Sequence, residues 1–123
     1  MIVVTRHRLG PVGSSPDQAD VEQFLTDAEA AALVLAERPG CEAVEVVRAL
    51  DDAAMFLVLS RWADVGSYRR ALSSFEVKVG AVPLLATAAD EPSAFEVLLA
   101  ATAGGVRRSA GDLAPDAHTA GPA

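Results

Sequence analysis

The sequence predicts an α+β fold in which helices cover one face of an antiparallel sheet, and three observations carry that prediction. Runs rich in β-branched residues alternate with runs of three- and four-residue apolar spacing, in the order strand, helix, strand, strand, helix, strand. Turn formers separate them at Arg38-Pro39-Gly40, at Asp51-Asp52 and around Pro92. The 123 residues suffice for one hydrophobic core and are too few for two ordinary ones.

The opening run, Met1 to Leu9, contains Ile2, Val3, Val4 and Thr5, whose branched Cβ atoms favour an extended backbone. Gly10 to Pro16 is crowded with helix breakers, and the helix is expected to start there, with Ser15 as cap, Pro16 in first place and Gln18 three after the cap. Val21, Phe24, Leu25, Ala28, Ala32 and Leu35 then form one apolar stripe that must lie on a flat surface. Arg38-Pro39-Gly40 ends this helix, because Pro39 pushes its predecessor out of the helical region and Gly40 tolerates unusual dihedrals.

Cys41 to Leu50 and Ala54 to Trp62 read as the two arms of an antiparallel hairpin turning at Asp51-Asp52. Asp64 is placed to cap a short second helix with Val65, Tyr68 and Leu72 on its apolar side. Phe75 to Ala89 has helical spacing interrupted by Gly80 and Pro83, which predicts a broken helix or long connection. Ala94 to Ala101 reads as a single closing strand with Phe95, Val97 and Leu99 on one face.

This order predicts a ferredoxin-like βαββαβ sandwich over residues 1–102. Residues 103–123, rich in Gly, Pro, Ala and charge and without apolar period, are expected to be a disordered tail. Val, Leu and Met residues point both ways from the strands, so the sheet face without helices needs cover, and a homodimer supplies it.

A net charge of -7 speaks against a nucleic-acid partner, since such affinity comes mostly from Lys and Arg displacing counterions. Charges or prolines interrupt every apolar run, so no membrane segment or secretory signal is expected. The lone Cys41 has no partner for an internal disulfide, which fits a cytoplasmic protein. His7 and His118 are isolated, and no nucleotide-binding glycine loop is present, so neither metal nor organic cofactor is implied.

Met1 to Val4 as first strand, Arg38-Pro39-Gly40-Cys41 before the second, Leu59-Ser60-Arg61-Trp62 closing the third, and Asp64 with Tyr68 opening the next helix form a recognisable set. In this order, over roughly Met1 to Ala101, the sequence resembles the antibiotic biosynthesis monooxygenase family. The resemblance implies a dimeric α+β barrel with one small-molecule pocket per subunit. It also implies a cofactor-independent monooxygenase acting on an aromatic quinol or anthrone-like molecule. In the family's cofactor-free oxygenases a Trp closing the third strand and a Tyr in the following helix line the pocket, and Trp62 and Tyr68 match those places. An Asn that accompanies them in one such enzyme falls near Val58 here. The haem-degrading members need an axial His where this chain has Arg70-Ala71-Leu72-Ser73, and carry an Asn on the first strand where this chain has His7.

The catalytic candidates are therefore His7 as general base, Tyr68 as hydrogen-bond donor and Trp62 as a wall against a planar substrate. Phe24, Phe56 and Phe75 are candidate pocket walls, each also suited to plain core packing. Arg48 is a candidate contact for an anionic substrate, or a partner for Glu45, Glu42 or Glu96 across the strands. Two other readings stand beside the oxygenase: a non-catalytic small-molecule-binding or structural dimer, and a haem-binding protein.

Overall fold

The computed structural model describes residues 1–110. Strand β1 (Ile2–Arg8) leads to helix α1 (Gln18–Ala36), then to the hairpin of β2 (Cys41–Arg48) and β3 (Met55–Trp62). Three short helices follow, α2 (Val65–Ser73), α3 (Phe75–Gly80) and α4 (Val82–Leu85), and then β4 (Ala94–Phe95). The four strands form one antiparallel sheet in the order β2-β3-β1-β4, the ferredoxin-like arrangement, with the long pairings made by β3 against both neighbours.

Strand pairing sorts the side chains into two faces. On the helix side Val3, Thr5 and His7 lie opposite Ser60, Val58 and Phe56, and Val44, Val46 and Arg48 continue these rows on β2. The stripe on α1 covers them with Val21, Phe24, Ala28, Ala31 and Leu35, all buried. Ala31 takes the buried place that the spacing suggested for Ala32, a shift of one residue in the stripe. Two clusters result: Val21, Phe24, Ala28 and Phe56 at one end, and Val3, Leu35, Trp62, Ala71, Val77 and Ala81 at the other.

Several local expectations are met by specific bonds. The Asp64 carboxylate accepts the Ser67 amide at 2.7 Å and so caps α2. Asp52 closes the β2–β3 hairpin, its side chain accepting the Ala54 amide and its carbonyl the Met55 amide. The helical pattern after Phe75 does break, at Gly80 and Ala81, into α3 and α4, with Ser74 capping the first of them. The start of α1 is a correction: Asp17, not Ser15, is its N-cap, and its side chain makes no capping bond.

The closing strand differs more. Only Ala94 and Phe95 pair with β1, opposite Val3 and Ile2. The chain then leaves the sheet, and β5 (Leu99–Thr102) pairs with β6 (Gly105–Arg108) as a separate hairpin. Gly105, at φ 141°, allows the tight reversal that lets the chain pair with itself. Residues 105–108, expected as the start of an unstructured tail, are thus a strand, and the rest of that expected tail from 111 lies outside the described residues. Among the described residues no helix is long and apolar enough to cross a membrane.

Gly40 ties the end of α1 to α2. Its φ is 86°, and a Cβ there would run into the side chain of Ser67. Replacing it by Ala meets both the left-handed backbone penalty and that clash. Gly40→Ala should therefore destabilise the fold by about 1–3 kcal/mol, measured as a lower urea midpoint with unchanged slope.

Candidate functional site

His7 is the most unusual side chain of the sheet: an imidazole only 2% exposed, in the row Arg48–Phe56–His7 beneath α1. Phe24 of α1 comes down on this row, its ring 5.6 Å from His7 and 5.0 Å from Phe56, both tilted. Such offset contacts suit aromatic faces. Arg48 places its guanidinium 5.7 Å from the Phe56 ring centre, a cation–π contact at the end of the row.

Burial of an imidazole requires partners for both nitrogens. Nε2 lies 2.9 Å from the hydroxyl of Thr5, two residues back on the same face of β1. Nδ1 lies 3.1 Å from the hydroxyl of Thr87, 80 positions along the chain in the turn after α4. Desolvation pushes the His7 pKa below its ordinary value of 6.5, so the ring is neutral at pH 7.

A cavity of about 460 Å³ opens beside this group. His7, Phe24, Leu84 and Thr87 line it, and the exposed carboxylates Asp20 and Asp27 of α1 flank it. Arg8, also in its lining, is held by Asp52 at 3.0 Å, and that bond keeps the Asp52 carboxyl below the usual carboxylate range. The volume falls within the range of small-molecule sites.

Trp62 and Tyr68 stand elsewhere. Trp62 is 1% exposed in the second core cluster, and its Nε1–H donates to the Ser60 hydroxyl at 2.8 Å. Val77 of α3 and Ala81, between α3 and α4, belong to the same cluster, so the indole is packed among side chains and does not line the His7 cavity. Tyr68 touches it at 5.5 Å between ring centres and lines a different cavity, of about 560 Å³, with Met1, Leu72 and Phe95. Burial raises the Tyr68 pKa, which keeps the phenol protonated.

The structure therefore brings together His7, Phe24 and Phe56, with Arg48 at the end of their row. It sets Trp62 and Tyr68 apart from them. Phe75, at the start of α3, is 76% exposed and lines neither cavity. Thr5 was legible beside His7, because residues two apart share a strand face. Thr87 carried no such signal, since only the chain's return along β1 brings it there. Among the described residues no three His, Cys, Asp or Glu side chains gather where they could hold a metal ion.

The model of the antibiotic biosynthesis monooxygenase family matches residues 14–82, more than half of the sequence. The chain belongs to this family. Solved structures agree on the fold of this family member. A conserved protein of Methanosarcina mazei Go1 is 22% identical with a TM-score of 0.56, covering 76% of this chain and 84% of its own. SnoaB of Streptomyces nogalater, a cofactor-independent oxygenase, is 20% identical in a mutant form with a TM-score of 0.56, covering 72% of this chain and 82% of its own. No curated protein matches the sequence.

The neutral state of His7 has a thermodynamic consequence. Below pH 6.5 the unfolded chain takes up a proton that folded His7 resists, so acid favours unfolding; above 6.5 both states are neutral and the effect disappears. Unfolding free energy should fall as pH drops from 6.5 towards 5, with a slope of at most about 1.4 kcal/mol per pH unit. Urea titrations of wild type and His7→Gln across this range check it, the difference in slope between the two isolating His7.

Proposed function

We propose that this family member is a cofactor-independent monooxygenase of an electron-rich aromatic, such as a quinol or an anthrone. The observation that carries the reading is His7: a neutral, buried imidazole between two hydroxyls, on the wall of a cavity faced by Phe24. The family membership and the fold shared with SnoaB support it.

The chemistry asks little of the protein. An anthrone-type CH2 loses a proton to a water molecule at the open mouth of the cavity, and the resulting carbanion, in resonance with its oxygen, reduces dioxygen and bonds to it at carbon as a peroxide that takes a proton back from water. Loss of water then breaks the O–O bond and leaves a carbonyl, one oxygen atom going to the ketone and one to water. The substrate supplies all the electrons, so no external reductant enters. What the site must do is hold an aromatic plane, keep water out and stabilise the anion. Phe24 serves the first two tasks and His7 the third, while Trp62 and Tyr68 shape the adjoining core. The carboxylates of Asp20 and Asp27 favour a substrate that arrives neutral rather than as an anion.

A haem reading would ask His7 for a metal bond at the expense of its hydrogen bond to Thr5 or Thr87, and that geometry favours the oxygenase. Oxygen uptake with a panel of quinols and anthrones, without added metal or flavin, tests the reading. Turnover should fall by about 100-fold or more in His7→Ala; no uptake by the wild type across the panel would move the protein to the non-catalytic binding class.

The reading includes a homodimer. Ile2, Val4, Met55, Leu57 and Leu59 line the sheet face away from the helices, only partly buried within one chain. A second sheet laid on this face would remove them from water and close the barrel. Sedimentation at micromolar concentration should give a dimer for the wild type and a monomer for Leu57→Glu, whose carboxylate would fall inside the apolar contact.

A further inference from the structure

Neutral imidazole carries one proton, and which nitrogen holds it decides what His7 can do. The hydroxyl of Thr87 donates to the Leu84 carbonyl at 2.7 Å, and a carbonyl can only accept. Thr87 has no second hydrogen to give, so at its 3.1 Å contact with His7 it must accept, and Nδ1 must be the nitrogen bearing hydrogen. Nε2 is then the lone-pair end, and the Thr5 hydroxyl donates to it. Thr87 lines the cavity and is exposed, whereas Thr5 is buried and does not line it, so Nδ1–H is the end of the ring on the cavity side.

Thr87 is itself held in place. Its amide also donates to the Leu84 carbonyl, at 3.0 Å. The segment that follows is bound along β1 by the Ala89 amide to the Arg6 carbonyl at 2.9 Å and by the Arg6–Glu91 ion pair at 3.0 Å, before Ser93 accepts the Val4 amide. The charged groups lining the cavity near His7 are Asp20 and Asp27 on α1 and Arg8 on β1.

We infer that Thr87 is a positioning residue that holds His7 as an N–H donor towards the cavity, so that His7 binds the substrate's anionic oxygen rather than removing its proton. This inference rests on the oxygenase reading for its substrate, but its structural half stands alone. An enolate or phenolate oxygen entering from the cavity accepts the same Nδ1–H beside the Thr87 oxygen, so that Thr87 keeps hold of the tautomer while the substrate is bound. A neutral imidazole is suited to that task, because it polarises an oxygen without protonating it fully. It replaces the role of general base expected from the sequence with one that the hydrogen-bond directions support.

The test is long-range proton–nitrogen correlation on 15N-labelled full-length protein at pH 7, with His7→Gln assigning the His7 signals. Wild type and Thr87→Ser should show Nδ1 protonated and Nε2 unprotonated. Thr87→Val, which keeps shape but loses the acceptor, should shift the ring towards the Nε2–H form. On a substrate accepted by the wild type, Thr87→Val should lower kcat by about 10-fold with KM little changed, and Thr87→Ser should restore it. An Nε2–H ring in the wild type, or the same tautomer in wild type and Thr87→Val, overturns the inference even if oxygen uptake is robust. Absence of uptake with the expected tautomers overturns the oxygenase reading, and with it the substrate half of the inference, while leaving the positioning role of Thr87 intact.

Discussion

Seven residues of β1 lie antiparallel to seven of β3, from Ile2 opposite Arg61 to Arg8 opposite Met55, and the other placements in the molecule depend on that register. A slip of one residue would turn Val3, Thr5 and His7 away from α1 and put Arg6 and Arg8 beneath it. Burying two arginines under an apolar helix without partners is far costlier than burying two hydroxyl-bonded polar groups. The alternation on β3, with Phe56, Val58, Ser60 and Trp62 inward, imposes the same register from the other side. The Asp52 turn and the α1 stripe then have one solution.

Within that frame the sheet carries a polar line through an apolar sandwich. Thr5, His7 and Ser60 are all buried, and each has a partner: His7 takes both threonines, and Ser60 takes the Trp62 indole. A buried polar group left alone would cost about 1–3 kcal/mol, so this line is stable only because it is satisfied throughout. Ser60 and Trp62 are bound to each other inside the core, whereas His7 reaches a threonine on the surface. That difference marks the His7 end as the one able to offer its N–H to a ligand oxygen beside the protein's own.

The separation of Trp62 and Tyr68 from His7 follows from the segment after α2. Phe75 to Leu85 forms two short helices, and Val77 and Ala81 drop into the sheet over Trp62. Truncating a buried aromatic of this size to Ala costs about 3–5 kcal/mol, which makes the indole an anchor of the fold. Open volume is left beside His7 and beside Tyr68 rather than at the indole.

The sequence by itself determined the order of elements, the hairpin turn at Asp52, the cap at Asp64 and the break near Gly80, because each is written in local spacing or local bonding; His7, flanked by Arg6 and Arg8, carried no sign of burial, and only the inner place of β1 in the sheet and the cover of α1 hid its ring. Ser15 as cap and a single closing strand were read from equally local signals, but Asp17 and the Gly105 reversal compete at the same range, and packing chose between them. Phe24 and Phe56 were legible as apolar residues, yet only the crossing of α1 over β3 made them neighbours of His7. Thr87 was not legible at all. Its hydroxyl reaches Nδ1 across 80 positions, and such a contact exists only once the sheet, α4 and the returning strand are all in place, because no local periodicity encodes a hydrogen bond between elements so distant in the chain.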